Sequence, residues 1–139
     1  MLKTRLIHPE MLAALAAAGH GAQVLITDGN YPASTQTQPG VPRVNLNLAP
    51  GMVAATDVLE VLAETIPIEE ATVMAPPEGE VPPIFAEFQA LLPDAAEFNE
   101  LGRFEFYDKC QENGNLCLII VTAEQRIYAN VLLTIGVVA

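Results

Sequence analysis

Gly19-His20-Gly21-Ala22-Gln23-Val24-Leu25-Ile26-Thr27-Asp28-Gly29-Asn30-Tyr31-Pro32 is the stretch on which the fold turns. Val24-Leu25-Ile26 is short, rich in β-branched residues and unalternating, which predicts a strand buried on both faces. Polar residues placed just beyond such a strand lie where open α/β sheets gather their ligands. A second stretch of the same design lies near the other terminus. There Ile119-Ile120-Val121 runs into Thr122-Ala123-Glu124-Gln125-Arg126, then Ile127-Tyr128-Ala129-Asn130-Val131-Leu132-Leu133.

Outward from these runs, helices and strands alternate. Pro9 and Glu10 suit a helical first turn, and Met11, Leu12, Leu15, Ala16 and Ala18 supply an apolar face. Gly19 is the natural C-terminal cap of that helix. After the buried strand, residues 28–42 form a loop too long for a turn and therefore a candidate binding loop. Arg43 to Leu48 alternates as a half-buried strand does. Thr56 or Asp57 is expected to cap a second helix, Asp57 and Glu60 having capping-box spacing, and Ala71 to Met74 reads as another buried strand. Four prolines within 75–83 mark a surface excursion. Ile84, Phe85, Phe88, Leu91 and Leu92 outline a short amphipathic helix stopped by Pro93, and 104–112 a further helix ended by Asn113-Gly114. Leu116 to Thr122 and Ile127 to Thr134 are expected as closing strands. The pattern predicts one domain over 1–139, a three-layer α/β/α sandwich on a largely parallel or mixed sheet.

With 139 residues, of which 51% are hydrophobic and 17% charged, the chain is apolar for a soluble domain, so its surplus has to be buried. No window approaches the ~18 continuous apolar residues of a membrane span. The apolar run Ile127–Ala139 argues instead for a partner surface and a homo-oligomer. Six basic against seventeen acidic residues give a net charge of -11, which argues against nucleic acid and anionic membranes as partners. Cys110 and Cys117 show neither metal-ligand spacing nor a disulfide framework. Met1 to Gly21 lacks the apolar stretch of a signal peptide, and a reducing cytoplasm is the expected location.

The chemistry left to such a chain is narrow. Neither Gly-x-Gly-x-x-Gly after the first strand nor Gly-Lys-Ser/Thr is present. The two histidines have no helical His-x-x-x-His pairing, so no metal site is expected. Ser34 is the only serine and has no local base beside it. What remains is cofactor-free acid–base work. His20 is flanked by glycines that leave its ring accessible, and imidazole both gives and takes protons near neutral pH. Residues alone leave His20 equally suited to capping a helix C-terminus. Asp28 before Gly29 reads foremost as an ordinary turn. Arg103 has a surface ion pair as its plainer role, Tyr128 a core aromatic, and Asn130 a turn or edge residue.

Five pieces in register weigh differently together. Gly19-His20-Gly21, the strand ending in Asp28-Gly29 with Pro32-Ala33 beyond, Arg103-Phe104-Glu105-Phe106-Tyr107, Thr122-Ala123-Glu124, and Tyr128-Ala129-Asn130 with the Gly136-Val137-Val138 end resemble the D-ribose pyranase/L-fucose mutarotase family. The arginine-aromatic piece and the terminal one are closer to its fucose branch. The resemblance implies a cofactor-free sugar isomerase of α/β fold, assembled as a ring, usually decameric, with sites at subunit contacts. It implies His20 as proton donor, and Asp28, Arg103, Tyr128, Ala129 and Asn130 as sugar ligands. The chain departs from the fucose pattern at Gly29-Asn30-Tyr31, at Gln125-Arg126, where the loop arginine is shifted by one, and in its proline-rich 75–83 segment. L-fucose is the first expected substrate, with D-ribose or another monosaccharide as alternatives. Two other readings compete: a ring that binds sugar without catalysis, and an acid–base hydrolase using His20 and Asp28.

Overall fold

A computed structural model describes residues 1–139. The elements run α1 (Pro9–Ala17), β1 (Gln23–Thr27), β2 (Arg43–Asn45), α2 (Ala55–Ala63), β3 (Ile68–Ala75), α3 (Ile84–Leu91), β4 (Glu97–Gly102), α4 (Arg103–Glu112), β5 (Leu116–Val121) and β6 (Val131–Ile135). One six-stranded sheet has the order β2-β5-β1-β6-β3-β4. β2, β5 and β1 pair in parallel, as do β3 and β4, while β6 lies antiparallel between β1 and β3. The five parallel strands therefore all end at one edge of the molecule, where β6 begins.

Burial follows the sequence logic. β1 is buried at every position, because its two faces serve different layers. Val24 and Ile26 join Met11, Leu15, Leu59, Leu62, Phe85 and Phe88 beneath α1, α2 and α3. Leu25 joins Tyr31, Phe106, Cys110, Ile119 and Leu132 beneath α4 and the 28–42 loop. This is the expected three-layer sandwich on a mixed sheet, with one flank covered more thinly than the other.

Local boundaries differ from the reading of the sequence, each for a physical reason. α1 ends at an extended Ala18 rather than at Gly19, and its N-cap is His8, whose Nδ1 accepts the Met11 N–H at 3.3 Å. α2 starts at Ala55 with Ala54 as N-cap, so Asp57 is the third helical residue and reaches back to the Ala54 N–H at 3.0 Å. β2 stops at Asn45, short of Leu48. β6 starts at Val131 rather than Ile127, because Tyr128 has φ +62° and leaves extended conformation. β4 has no counterpart in the sequence reading. It is an edge strand pairing only with β3, none of its residues is fully buried, and its six residues hold just Phe98 and Leu101 as large apolar side chains.

Candidate functional site

A cleft of about 330 Å³ opens where the parallel strands end, at the lower end of the usual size for small-molecule sites. It is lined by Asp28 after β1, Asn30 and Tyr31 of the loop, Met74 of β3, Arg103 and Tyr107 of α4, and Ile127, Tyr128 and Asn130 before β6. Of the residues singled out in the sequence, Asp28, Arg103, Tyr128 and Asn130 are brought together here. Ala129 sits behind them, fully buried in the core.

The floor is a reciprocal clip. The Asp28 N–H donates to Asn130 Oδ1 at 2.8 Å, and Asn130 Nδ2 donates to Asp28 Oδ2 at 3.1 Å. Asp28 Oδ1 also accepts from the Asn30 and Tyr31 N–H groups at 3.0 and 2.8 Å. Three donors occupy most of the roughly four acceptor positions of a carboxylate. Burial pushes the Asp28 carboxyl up from its ordinary value, against the pull of those hydrogen bonds. Asp28 thus ties the end of β1 to the start of β6 and aims the Asn30-Tyr31 segment.

Aromatic rings and one cation form the walls. Tyr31 is buried, its hydroxyl donates to the Gln36 carbonyl at 2.8 Å, and its ring meets Phe106 and Tyr107 edge-on. Burial pushes that hydroxyl's pKa far up, so it works as a hydrogen-bonding group only. Arg103 donates from Nε to Tyr107 Oη at 3.2 Å, and its guanidinium lies 5.6 and 5.5 Å from the Phe104 and Tyr107 ring centres. No carboxylate pairs with it, in contrast to Arg5 and Arg126. Its remaining N–H fork is available to a ligand. Tyr107 was missed as a site residue. Its signal was present, since it stands four residues after Arg103 on one helical face.

Glu124 lies outside the lining of this cleft and ties the 122–126 segment to the start of α2. Its carboxylate is only 5% exposed and accepts from Arg126 Nε, Arg126 Nη2 and the Arg126 N–H at 2.9, 2.9 and 3.0 Å, and from the Ala55 N–H at the start of α2. The Arg126 guanidinium holds its pKa down at about 2. The Gly29 N–H bonds the Glu124 carbonyl at 2.9 Å, and a Cβ on Gly29 would stand 3.2 Å from that oxygen. Close backbone approach, rather than an unusual dihedral, is what requires glycine there. Tyr128 and Ile127 also border a larger cavity of about 650 Å³ walled by the proline-rich segment, so Tyr128 stands between the two.

His20 is elsewhere. It precedes β1 while Asp28 follows it, and the five strand residues separate the two ends by roughly 16 Å at ~3.3 Å per residue. The ring does not cap α1. Its Nε2 lies 3.1 and 3.2 Å from the Glu69 carboxylate oxygens, and the side chain is 60% exposed. The glycine flanks do leave it accessible, as expected, but no single chain brings it to the cleft.

Comparison with known proteins places this arrangement. The profile of the RbsD / FucU transport protein family matches residues 1–138. A D-ribose pyranase of Variovorax paradoxus is 32% identical over 142 residues, covering 99% of this chain and 98% of that protein. The human fucose mutarotase is 31% identical over 147 residues, covering 96% and 91%. Among solved structures, Bacillus subtilis RbsD complexed with D-ribose superposes with a TM-score of 0.83 at 26% identity over the whole of both chains. A Streptococcus pneumoniae fucose mutarotase in complex with L-fucose shares the fold, with a TM-score of 0.82 at 23% identity and 99% and 100% coverage. With its sequence and fold matched over nearly its full length, the chain belongs to the RbsD/FucU family.

Proposed function

We propose that the protein is a monosaccharide mutarotase whose working site is shared between two copies of the chain. The observation that carries this is the separation of parts. The cleft offers Arg103, Tyr107, Tyr128 and the Asp28–Asn130 floor to a polyol, yet its one carboxylate is already held by three donors of the chain, while an exposed histidine stands at the far end of the sheet. Relatives named for acting on D-ribose and fucose support the substrate class. L-fucose is the first choice here, from the arginine-aromatic motif, with D-ribose second.

The chemistry asks little. The proton leaves the anomeric hydroxyl, the bond from the anomeric carbon to the ring oxygen breaks, and that oxygen takes a proton. The open aldehyde then recloses on its other face or through another hydroxyl. A single imidazole, that of His20 from a neighbouring copy, serves both transfers. Arg103 and Tyr128 hold the hydroxyls, and the chain's own residues supply all the groups the reaction needs. The two sheet ends are unlike surfaces, and each carries exposed apolar residues: Phe104 and Ile127 at the cleft, Val137 and Val138 beyond β6. Joining unlike ends is head-to-tail association, which gives a ring when the rotation between copies closes; the ring is expected as a decamer working in the cytoplasm.

Mixing inactive variants tests the shared site. His20→Ala and Arg103→Ala each remove one half, so each pure ring is expected to lose exchange of sugar anomers measured by saturation-transfer NMR. Rings reassembled from an equal mixture should regain activity in about a quarter of their sites, those joining an intact cleft to an intact His20. No recovery in verified mixed rings would overturn the shared site. Sugar binding without exchange in the native protein would identify a non-catalytic ring instead.

A further inference from the structure

We infer that a cavity between β2 and residues 34–41 of the long loop binds a hydroxylated anion, a sugar carrying a phosphate or a carboxylate. The cavity measures about 420 Å³ and shares no lining residue with the cleft. Arg43 is its one charged side chain; no aspartate or glutamate borders it, in a chain that has seventeen of them. Strand alternation places the guanidinium there. Val44 is buried in the larger core cluster, so Arg43 and Asn45 on either side of it project to the opposite face. They lie there beside Ile119, the ladder partner of Arg43 and part of the core beneath α4. The Arg43 side chain makes no ion pair and no hydrogen bond within the chain, whereas Arg5, Lys109 and Arg126 all meet carboxylates. A planar fork of donors left free in a carboxylate-free concavity matches the oxygens of a phosphate or carboxylate.

The loop wall offers acceptors instead. Thr35 and Thr37 have already given their hydroxyl hydrogens to the Pro32 and Ala33 carbonyls, at 3.3 and 2.7 Å, which leaves their oxygens only lone pairs. Gln38 Oε1 is buried and accepts no hydrogen bond, the kind of cost that a missing partner explains. The soft terminal torsion of glutamine lets that amide turn to a ligand in the cavity it borders. This wall is fixed without any ligand, because two bonds tie it to α4. The Gln38 N–H donates to the Cys110 carbonyl at 2.9 Å, and Gln111 Nε2 donates to the Thr35 carbonyl at 2.8 Å. Donors on one side and acceptors on the other select a ligand with an anionic end and several hydroxyls. Inorganic phosphate presents chiefly acceptors and would leave the loop wall unmet. A neutral sugar would leave Arg43 without a counter-charge.

Titration calorimetry of the assembled protein with D-ribose 5-phosphate, D-galacturonate, inorganic phosphate and D-ribose tests this and needs no catalytic activity. At least one of the two sugar anions is expected to bind, and Arg43→Gln to weaken it about 10–100-fold, the loss of one charge-assisted contact. Arg103→Gln alters the cleft alone and should leave that affinity unchanged. Gln38→Ala should weaken the sugar anion while inorganic phosphate, bound more weakly throughout, is unaffected. D-ribose is the neutral control, and its binding should not depend on Arg43. Three results would overturn the inference: no binding of either sugar anion at millimolar concentration, a sugar anion bound no tighter than inorganic phosphate, or an affinity lost in Arg103→Gln and kept in Arg43→Gln. Should Arg43→Gln fail to assemble, Arg43→Lys decides it, since lysine keeps the charge and loses the fork. A protein that binds the sugar anion and exchanges no anomers would bring down the mutarotase reading and leave this site standing.

Discussion

Asp28 and Glu124 are both buried carboxylates at strand ends, yet their surroundings push them in opposite directions. Glu124 faces the Arg126 guanidinium and is held down at about 2, whereas Asp28 faces only neutral donors and is pushed up by burial. Glu124 therefore binds its proton less readily folded than unfolded, where the value is near 4.5. Its stabilisation is complete above that value and drains as pH falls towards 2. Urea unfolding between pH 6 and 2 should show this loss, and Glu124→Gln should flatten it over that window. Asp28→Asn turns an amide NH₂ toward donors that now meet an acceptor. It is expected to destabilise the fold by ~1–3 kcal/mol in the same assay at neutral pH, and to weaken sugar binding with it. Tyr128→Phe keeps the ring and its left-handed backbone but removes one hydroxyl. If that hydroxyl holds the sugar, titration calorimetry should show affinity reduced by about 0.5–1.5 kcal/mol.

Among the elements, the junction from β1 into the binding loop is the most tightly built. Gly29 lies against the backbone of the 122–124 segment, and Thr122 Oγ1 donates to the Thr27 carbonyl at 2.6 Å. Gly29→Ala forces a methyl against a carbonyl that cannot move without shifting Glu124, and is expected to cost about 1–3 kcal/mol of stability. Gly19→Ala meets nothing within 4 Å and should change stability by less than about 0.5 kcal/mol. Thermal melts of the two variants side by side check this contrast, and a Gly29→Ala as stable as the native chain would count against the close approach. β6 matters differently. Its antiparallel course brings Tyr128 and Asn130 to the cleft at one end and Gly136 to the His20–Glu69 pair at the other. One strand thereby supports both halves of the proposed site.

At the scale of the molecule, charge and apolar surface oppose each other. Copies carrying -11 each repel one another, while Phe104, Ile127, Val137 and Val138 remain exposed and favour association. Screening weakens the repulsion and leaves the apolar term, since the Debye length falls from ~10 Å at 0.1 M to ~3 Å at 1 M salt. Light scattering at pH 7 should therefore show a ring whose dissociation on dilution is suppressed by added salt. A monomeric mass at micromolar concentration would remove the basis for a shared site. Exchange activity should persist through chelator and dialysis, because no group of three or more metal-ligating side chains is assembled; loss restored by a divalent ion would overturn that.

What the sequence determined by itself is what depends on near neighbours. Val24-Leu25-Ile26 had to be a doubly buried strand because no polar residue interrupts it, and Phe85 and Phe88 had to share a helix face because they stand three apart. The motifs, read in register, carried the family as well. The tertiary structure decided what depends on distant partners. β4 is a strand only because β3 lends it hydrogen bonds, its own apolar pattern being too sparse to announce it. Asp28 became a clip because Asn130, 102 residues away, returns beside it on an antiparallel β6, and neither residue type encodes that meeting. His20 and Asp28, eight residues apart in the sequence, are held at opposite ends of the sheet because a strand is extended. Glu69, 49 residues from His20, reaches it because a bulge turned it there. Periodicity records which face of an element is buried; only the register between elements records which side chains meet.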